Sequence, residues 1–196
     1  MKKNKALLIV DVQNDFCPGG RLPVPEGDKV VPVLNEYIKI FSSRNLPIFA
    51  SCDWHPEKSR HFKDFGGLWP VHCVQGTEGA EFHPELRLPE DAIIIFKGTE
   101  PEEDAYSSFQ GKDKEGRNLD YLLNKFGVGE LYIGGLATEY CVKETVLDAL
   151  KKGFRVNLLV DAIRGVDIKK GDSTRAIEEM VRNGAVRVTL EEISLR

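Results

Sequence analysis

The chain has 196 residues, 41% of them hydrophobic and 30% charged, a globular composition that excludes a disordered chain. Its 27 Lys and Arg against 31 Asp and Glu give a net charge of -4, so no basic field draws phosphate backbones or anionic lipid, and neither nucleic acid nor a membrane is an expected partner. A chain of this length buries about 70% of its extended surface around one core, which sets the expectation of a single domain over 1–196.

The first apolar run, 6–10, is too short for a signal-peptide core or a bilayer span. It reads as a buried strand of a cytoplasmic protein, and it ends at Asp11. Helical spacing follows at 30–42, then a second strand at 47–51 leading to Asp53. Cys17, Cys52, Cys73 and Cys141 form no CxxC pair, and in a chain too large to need disulfide staples they are expected to be reduced.

The next connection is abnormal. Residues 54–91 carry little periodicity, and loops beyond about 12 to 15 residues in a compact domain are commonly functional. All four histidines, His55, His61, His72 and His83, lie in it. A third strand at 92–96 runs into Lys97, and a helix is expected at 118–126.

A fourth strand, 130–133, leads through a Gly134-Gly135 turn to a helix at 139–152. There Thr138 is the expected N-cap and Gly153 the stop, with Val142, Thr145, Val146, Ala149 and Leu150 on one face. A strand at 155–160 precedes a helix capped by Asp172 or Ser173 that buries Ala176, Ile177, Met180 and Val181. The last strand is 186–190. Short continuous strands alternating with helices imply βαβ units: an α/β fold with a mostly parallel sheet of about six strands and helices on both faces.

In such sheets ligands bind outside the carboxyl ends of the strands, and the polar residues there are Asp11, Asp53, Lys97 and, at a helix start, Cys141. Unpaired N–H groups and the helix dipole favour a thiolate at that position. The Gly134-Gly135-Leu136-Ala137 turn could offer backbone N–H groups to an oxyanion. Position alone leaves Cys141 open to two readings, a nucleophile or a small buried packing residue. Asp11 is either a helix cap or a buried carboxylate needing a cation; Lys97 is either an edge residue or that cation.

Asp53 and His55 stand two apart and face one way on an extended segment, while His61 and His72 arrive from the same loop. Carboxylate plus imidazole suits one divalent transition metal, Zn²⁺, Fe²⁺ or Mn²⁺, rather than Ca²⁺. His83 has no obvious partner. Phe16, Trp69, Tyr106 and Tyr140 flank the reactive residues in sequence and could sandwich a flat ring. No GxGxxG follows the first strand, where Asp11-Val12-Gln13-Asn14 stands, which argues against a dinucleotide-binding dehydrogenase.

Five motifs are familiar together: Asp11-Val12-Gln13-Asn14-Asp15-Phe16, Asp53-Trp54-His55-Pro56, Trp69-Pro70-Val71-His72-Cys73, Lys97-Gly98-Thr99 and Gly135-Leu136-Ala137-Thr138-Glu139-Tyr140-Cys141-Val142. In this order they resemble the nicotinamidase/pyrazinamidase branch of the isochorismatase-like cysteine hydrolases. The resemblance implies a three-layer, Rossmann-like fold with a catalytic triad on Asp11, Lys97 and Cys141. It also implies an oxyanion hole from the Ala137 and Cys141 amides beside a cis Leu136-Ala137 peptide. Metal ligands map onto Asp53, His55 and His72; His61 stands where only some members carry a further ligand.

Zinc is the first expectation for the metal, which in the family holds the pyridine nitrogen of the substrate. The ring pocket maps onto Phe16, Trp69, Tyr106 and Tyr140. The implied reaction takes nicotinamide to nicotinate and ammonia in NAD salvage, with pyrazinamide as a second substrate. The alternative is another superfamily branch acting on an N-carbamoyl or ureido substrate, whose members generally lack the Asp-x-His and later His ligands. A non-catalytic module that keeps the fold is the reading from outside the enzymes. Besides the small-molecule substrate, a homo-oligomeric partner is left open.

Overall fold

The computed structural model describes residues 4–193. Six strands form one sheet: β1 (Asn4–Val10), β2 (Ile48–Asp53), β3 (Ile93–Lys97), β4 (Val128–Leu136), β5 (Arg155–Arg164) and β6 (Val186–Val188). Their order is β3-β2-β1-β4-β5-β6 and every pairing is parallel. Five α-helices accompany them among the described residues: α1 (Val30–Ser42), α2 (Leu119–Lys125), α3 (Lys143–Lys151), α4 (Asp172–Arg182) and α5 (Leu190–Ile193).

Strand alternation splits the core in two. Leu7 and Ile9 of β1 pack towards Val30, Val31, Leu34, Tyr37, Ile38 and Phe41 of α1, residues spaced as one helical face, with Ile193 of α5 in the same cluster. Ala6, Leu8 and Val10 face the other way, onto Leu119, Leu122 and Leu123 of α2, Val146 and Ala149 of α3 and Met180 of α4. The result is a three-layer α/β fold of Rossmann-like strand order, as expected. The order reverses between β1 and β4, the switch point at which such sheets open a crevice.

Four local expectations need correction. Gly134 and Gly135 make no turn but lie inside β4, where Gly135 has φ +126° and a Cβ would overlap the Val10 carbonyl. The helix predicted at 139–152 divides at Tyr140 (φ -116°, ψ -106°) into a wide π-type turn, Thr138–Val142, and α3, and Thr138 makes no side-chain cap. Ala137 forces that division, because its carbonyl accepts from both Tyr140 N–H and Val142 N–H. In α4 the Asp172 carboxylate accepts from Lys169 N–H while Asp167 takes Ser173 N–H, so neither Asp172 nor Ser173 caps, and Val181 is 37% exposed. The last strand stops at Val188 because Asp161 binds the Leu190 N–H and α5 begins there.

The segment between β2 and β3 carries only short 3₁₀ turns, Lys63–Phe65 and Glu78–Ala80. Isolated bridges tie it down, His55 with Val74 and Phe62 with Trp69. Among the described residues no helix is long and apolar enough to cross a membrane.

Candidate active site

The carboxyl ends of β1, β2, β3 and β4 each lead to one reactive group at the crevice. Asp11 follows β1 in the left-handed region (φ +49°) and is fully buried. Asp53 and Lys97 end β2 and β3 as direct partners in the sheet register. Lys97 Nζ lies 2.9 Å from Asp11 Oδ2, contacts Asp53 Oδ1 and stands 3.4 Å from Cys141 Sγ. Acceptor atoms of Asp11, Asp53 and Cys141 all lie within 4.8 Å of one another.

These groups are fixed by neighbours that sequence reading did not single out. Ser51 Oγ donates to Asp11 Oδ1 at 2.7 Å and accepts from Ser108 Oγ at 2.8 Å; Ser108 N–H in turn reaches Thr145 Oγ1 on α3 at 3.0 Å. Gln13 brackets the Asp53 backbone, accepting its N–H and donating to its carbonyl, both at 2.8 Å. The alternation of Ser51 and Asp53 on one strand face was the available signal for the first of these.

Burial sets the protonation states. Desolvation raises the Asp11 carboxyl above its ordinary value despite the Lys97 charge. Burial would raise Asp53 too, but Lys97, His55 and His72 outweigh it and hold that carboxyl well below the usual carboxylate range. Burial works against the Lys97 ammonium, yet Asp11 and Asp53 hold its pKa above the ordinary lysine value. The Cys141 thiol is pushed well up, first by burial and then by the two aspartates, with Lys97 opposing. The sequence expectation of a helix-lowered cysteine pKa is therefore corrected: complete burial beside two carboxylates outweighs the nearby helix start, and the resting group is a thiol with a base beside it.

The second cluster sits against the first. His55, His61 and His72 bring one ring nitrogen each within 4.8 Å of the others. Their Nδ1 atoms are engaged outward, His55 with Gly98 O (3.1 Å), His72 with Pro70 O (2.7 Å) and His61 with Asp104 Oδ1 (2.6 Å). A carbonyl only accepts, so Nδ1 carries the proton in His55 and His72 and leaves Nε2 as a lone-pair donor. Gly98 (φ +64°) permits this approach, since a Cβ there would overlap the His55 ring. Asp53 Oδ1 is 3.7 Å from His55 Nε2 and Asp53 Oδ2 is 4.0 Å from His72 Nε2.

These residues fit a divalent cation. His55 Nε2 is buried with no hydrogen-bond partner among the described residues. Burial drives the imidazoles of His61 and His72 towards the neutral form, His72 down to about 4. One ammonium also leaves the Asp11 and Asp53 pair a charge short. Outward Nδ1 contacts are the arrangement that orients metal-bound histidines. His61, which only some family members carry, stands fully inside this cluster, whereas His83 lies apart with Nδ1 accepting from Glu85 N–H.

Between the clusters opens a small, narrow pocket. All four expected aromatics line it, Phe16, Trp69, Tyr106 and Tyr140, together with Ala137 and Cys141. Trp69 Nε1–H donates to Tyr106 OH at 2.9 Å, and Trp69 meets Tyr140 edge-on at 4.9 Å, so the wall is a braced aromatic unit. Leu22, Val24 and Val166 complete the lining and were not anticipated. Val166 is set by Glu139, whose Oε1 accepts the Val166 and Asp167 N–H groups at 2.8 and 2.7 Å. The Leu136-Ala137 peptide is cis, as the resemblance implied.

An all-parallel α/β sheet with cysteine, aspartate and lysine at its switch point and a histidine cluster alongside defines the class. The isochorismatase-domain profile matches residues 5–192, and the chain belongs to the isochorismatase family. It is 43% identical to the nicotinamidase of Escherichia coli, with 96% of each chain covered. The structure resembles that of the pyrazinamidase of Pyrococcus horikoshii in complex with zinc (TM-score 0.88, 52% identity, 95% of this chain and 99% of that one). It also resembles PnC1 of L. infantum in complex with nicotinate (TM-score 0.87, 33% identity, 98% and 96% covered).

Proposed function

We propose that this protein hydrolyses nicotinamide to nicotinate and ammonia through a thioester on Cys141, and accepts pyrazinamide in the same pocket. The observation that carries the reading is Lys97 held against both Asp11 and Cys141, with an apolar ring pocket on one side and three histidines behind it. The nicotinamidase and pyrazinamidase relatives supply the substrate class.

In the mechanism Asp11 takes the Cys141 proton as the sulfur attacks the carboxamide carbon. Lys97 stabilises the thiolate and keeps its own charge throughout. The Ala137 and Cys141 amides hold the developing oxyanion. When the C–N bond breaks, Asp11 returns its proton to the leaving nitrogen and ammonia departs. Asp11 next deprotonates a water that attacks the thioester, the C–O bond forms as C–S breaks, and the proton passes back to the Cys141 sulfur.

His55, His61, His72 and Asp53 would hold the divalent metal, zinc on the precedent of the Pyrococcus horikoshii complex. When bound it supplies a Lewis-acid contact that fixes the pyridine nitrogen. Phe16, Trp69, Tyr106 and Tyr140 sandwich the ring and exclude water, so the carboxamide meets Cys141 in a fixed orientation. We read the chain as one domain whose 54–91 segment is the metal-binding loop. Its four free, buried cysteines suit a reducing compartment, and we place the activity in the cytoplasm, in NAD salvage.

The N-carbamoyl and ureido reading is disfavoured by the Asp53, His55 and His72 set, since members of that branch generally lack the Asp-x-His and later His ligands. A side-by-side assay decides: ammonia release from nicotinamide against an N-carbamoyl amino acid, by protein of measured metal content. Faster turnover of the carbamoyl compound would overturn the nicotinamide assignment.

A further inference from the structure

We propose that Asp104 is a positioning residue for the metal centre, acting through His61. This rests on the reading of His55, His61 and His72 as metal ligands. The three imidazoles are oriented in two different ways. His55 and His72 are pinned by backbone carbonyls, Gly98 O and Pro70 O, which the chain fold fixes. His61 is pinned by a side chain, the Asp104 carboxylate, at 2.6 Å from Nδ1.

The two partners differ in burial: the His61 side chain is 3% exposed and that of Asp104 56%. His61 itself is stacked on His55, with ring centroids 4.6 Å apart at 18°, so a turn of its ring about Cβ–Cγ is the motion left to it. The Asp104 contact selects the orientation in which Nδ1 points out and Nε2 points to the other two histidines. A carboxylate on Nδ1–H also raises the donor strength of the opposite nitrogen, which a neutral carbonyl does less well. Asp104 is itself held in place independently of His61. Glu103 binds the Thr99 and Glu100 N–H groups, and Arg60 N–H bonds to Pro101 O, so the 99–104 loop is docked on the 58–62 segment.

The test is the zinc dissociation constant of full-length protein, measured by competition with a chromogenic chelator. Four proteins are compared: wild type, Asp104→Ala, Asp104→Asn and Arg60→Ala. The Arg60–Glu102 ion pair at 3.7 Å joins the same two segments without touching an imidazole, so Arg60→Ala reports loop docking alone. Asp104→Ala is expected to weaken zinc binding about 10- to 100-fold. Asp104→Asn, whose amide oxygen still accepts the Nδ1 proton, should fall between it and wild type, and Arg60→Ala should match wild type. In the cobalt-loaded proteins the visible absorption bands should shift for Asp104→Ala and not for Arg60→Ala.

Equal zinc affinity for Asp104→Ala and wild type overturns the proposal while leaving the metal site standing. So does an equal loss in Arg60→Ala. A wild-type protein that binds neither zinc, iron nor manganese overturns the metal reading and this inference with it. If Asp104→Ala fails to fold, the Asp104→Asn measurement decides alone, an unchanged constant counting against the proposal.

Discussion

The Lys97 ammonium lies 3.4 Å from the Cys141 sulfur, although β3, which ends at Lys97, and β4, which leads to Cys141, are not neighbours in the sheet. Lys97 ends β3, Cys141 follows β4, and the Asp53 and Asp11 carboxylates from the ends of the intervening strands meet the same ammonium. One cation therefore serves two buried carboxylates and one thiol. That sharing ties the stability of the site to its chemistry.

Lys97→Met leaves Asp11 and Asp53 without their ammonium. Breaking a buried ion pair by deleting one partner costs about 3–5 kcal/mol, and urea unfolding should show a loss of that order. Turnover should fall at least about 100-fold, because the thiolate then forms with no cation beside it and next to the uncompensated Asp53 carboxylate. A stable variant with near-normal turnover would remove Lys97 from the mechanism.

The pH profile reports Asp11. The carboxyl must be ionised to take the thiol proton, and burial holds its pKa above 3.8. Activity is therefore lost as pH falls through that raised value and recovered as pH rises through it. The Ser51 hydroxyl favours the ionised form, so Ser51→Ala should move the acid limb of kcat/KM to higher pH. A shift to lower pH, or none, would contradict the assignment of the limb to Asp11.

For the metal cluster, His55→Ala should lower zinc content by elemental analysis and raise KM by about 10-fold or more, with a smaller change in kcat, since the site acts by positioning. Stripping the wild-type protein with a chelator should reproduce the same split. Full metal occupancy in His55→Ala would exclude it as a ligand.

Glu139 sets the Val166 wall with one carboxylate oxygen. Glu139→Ala deletes two hydrogen bonds to a charged acceptor, each worth about 1.5–3 kcal/mol, and should raise KM for nicotinamide several-fold. Glu139→Gln keeps an oxygen at that position and should stay near wild type. Equal effects of the two variants would point to charge rather than to the backbone clamp.

The Asp11, Asp53 and Lys97 cluster was legible because strand ends are: a buried apolar run that stops at an aspartate or a lysine marks a sheet edge with a charge on it, whereas position alone left Cys141 open between two readings. The helix α1 was placed to the residue by its apolar spacing. The histidine cluster of the 54–91 segment was legible through residue type alone, since histidines in an irregular loop have no period to read. What stayed hidden depended on three-dimensional closeness. Ser51 looks like any polar strand residue until Asp11 folds back over it, Asp104 lies 43 positions from His61, and Val166 enters the pocket only because Glu139 holds its backbone. The kink at Tyr140 was invisible for a similar reason: 139–152 has the composition of one helix, and the break comes from the Ala137 carbonyl binding two N–H groups.

Ammonia and nicotinate release from nicotinamide by wild type and Cys141→Ala, at equal and measured zinc content, tests the assignment most directly. Wild type should yield one ammonia and one nicotinate for each nicotinamide consumed, and Cys141→Ala should yield neither while keeping its zinc. Turnover by Cys141→Ala, or nicotinamide left intact by zinc-loaded wild type, would contradict it.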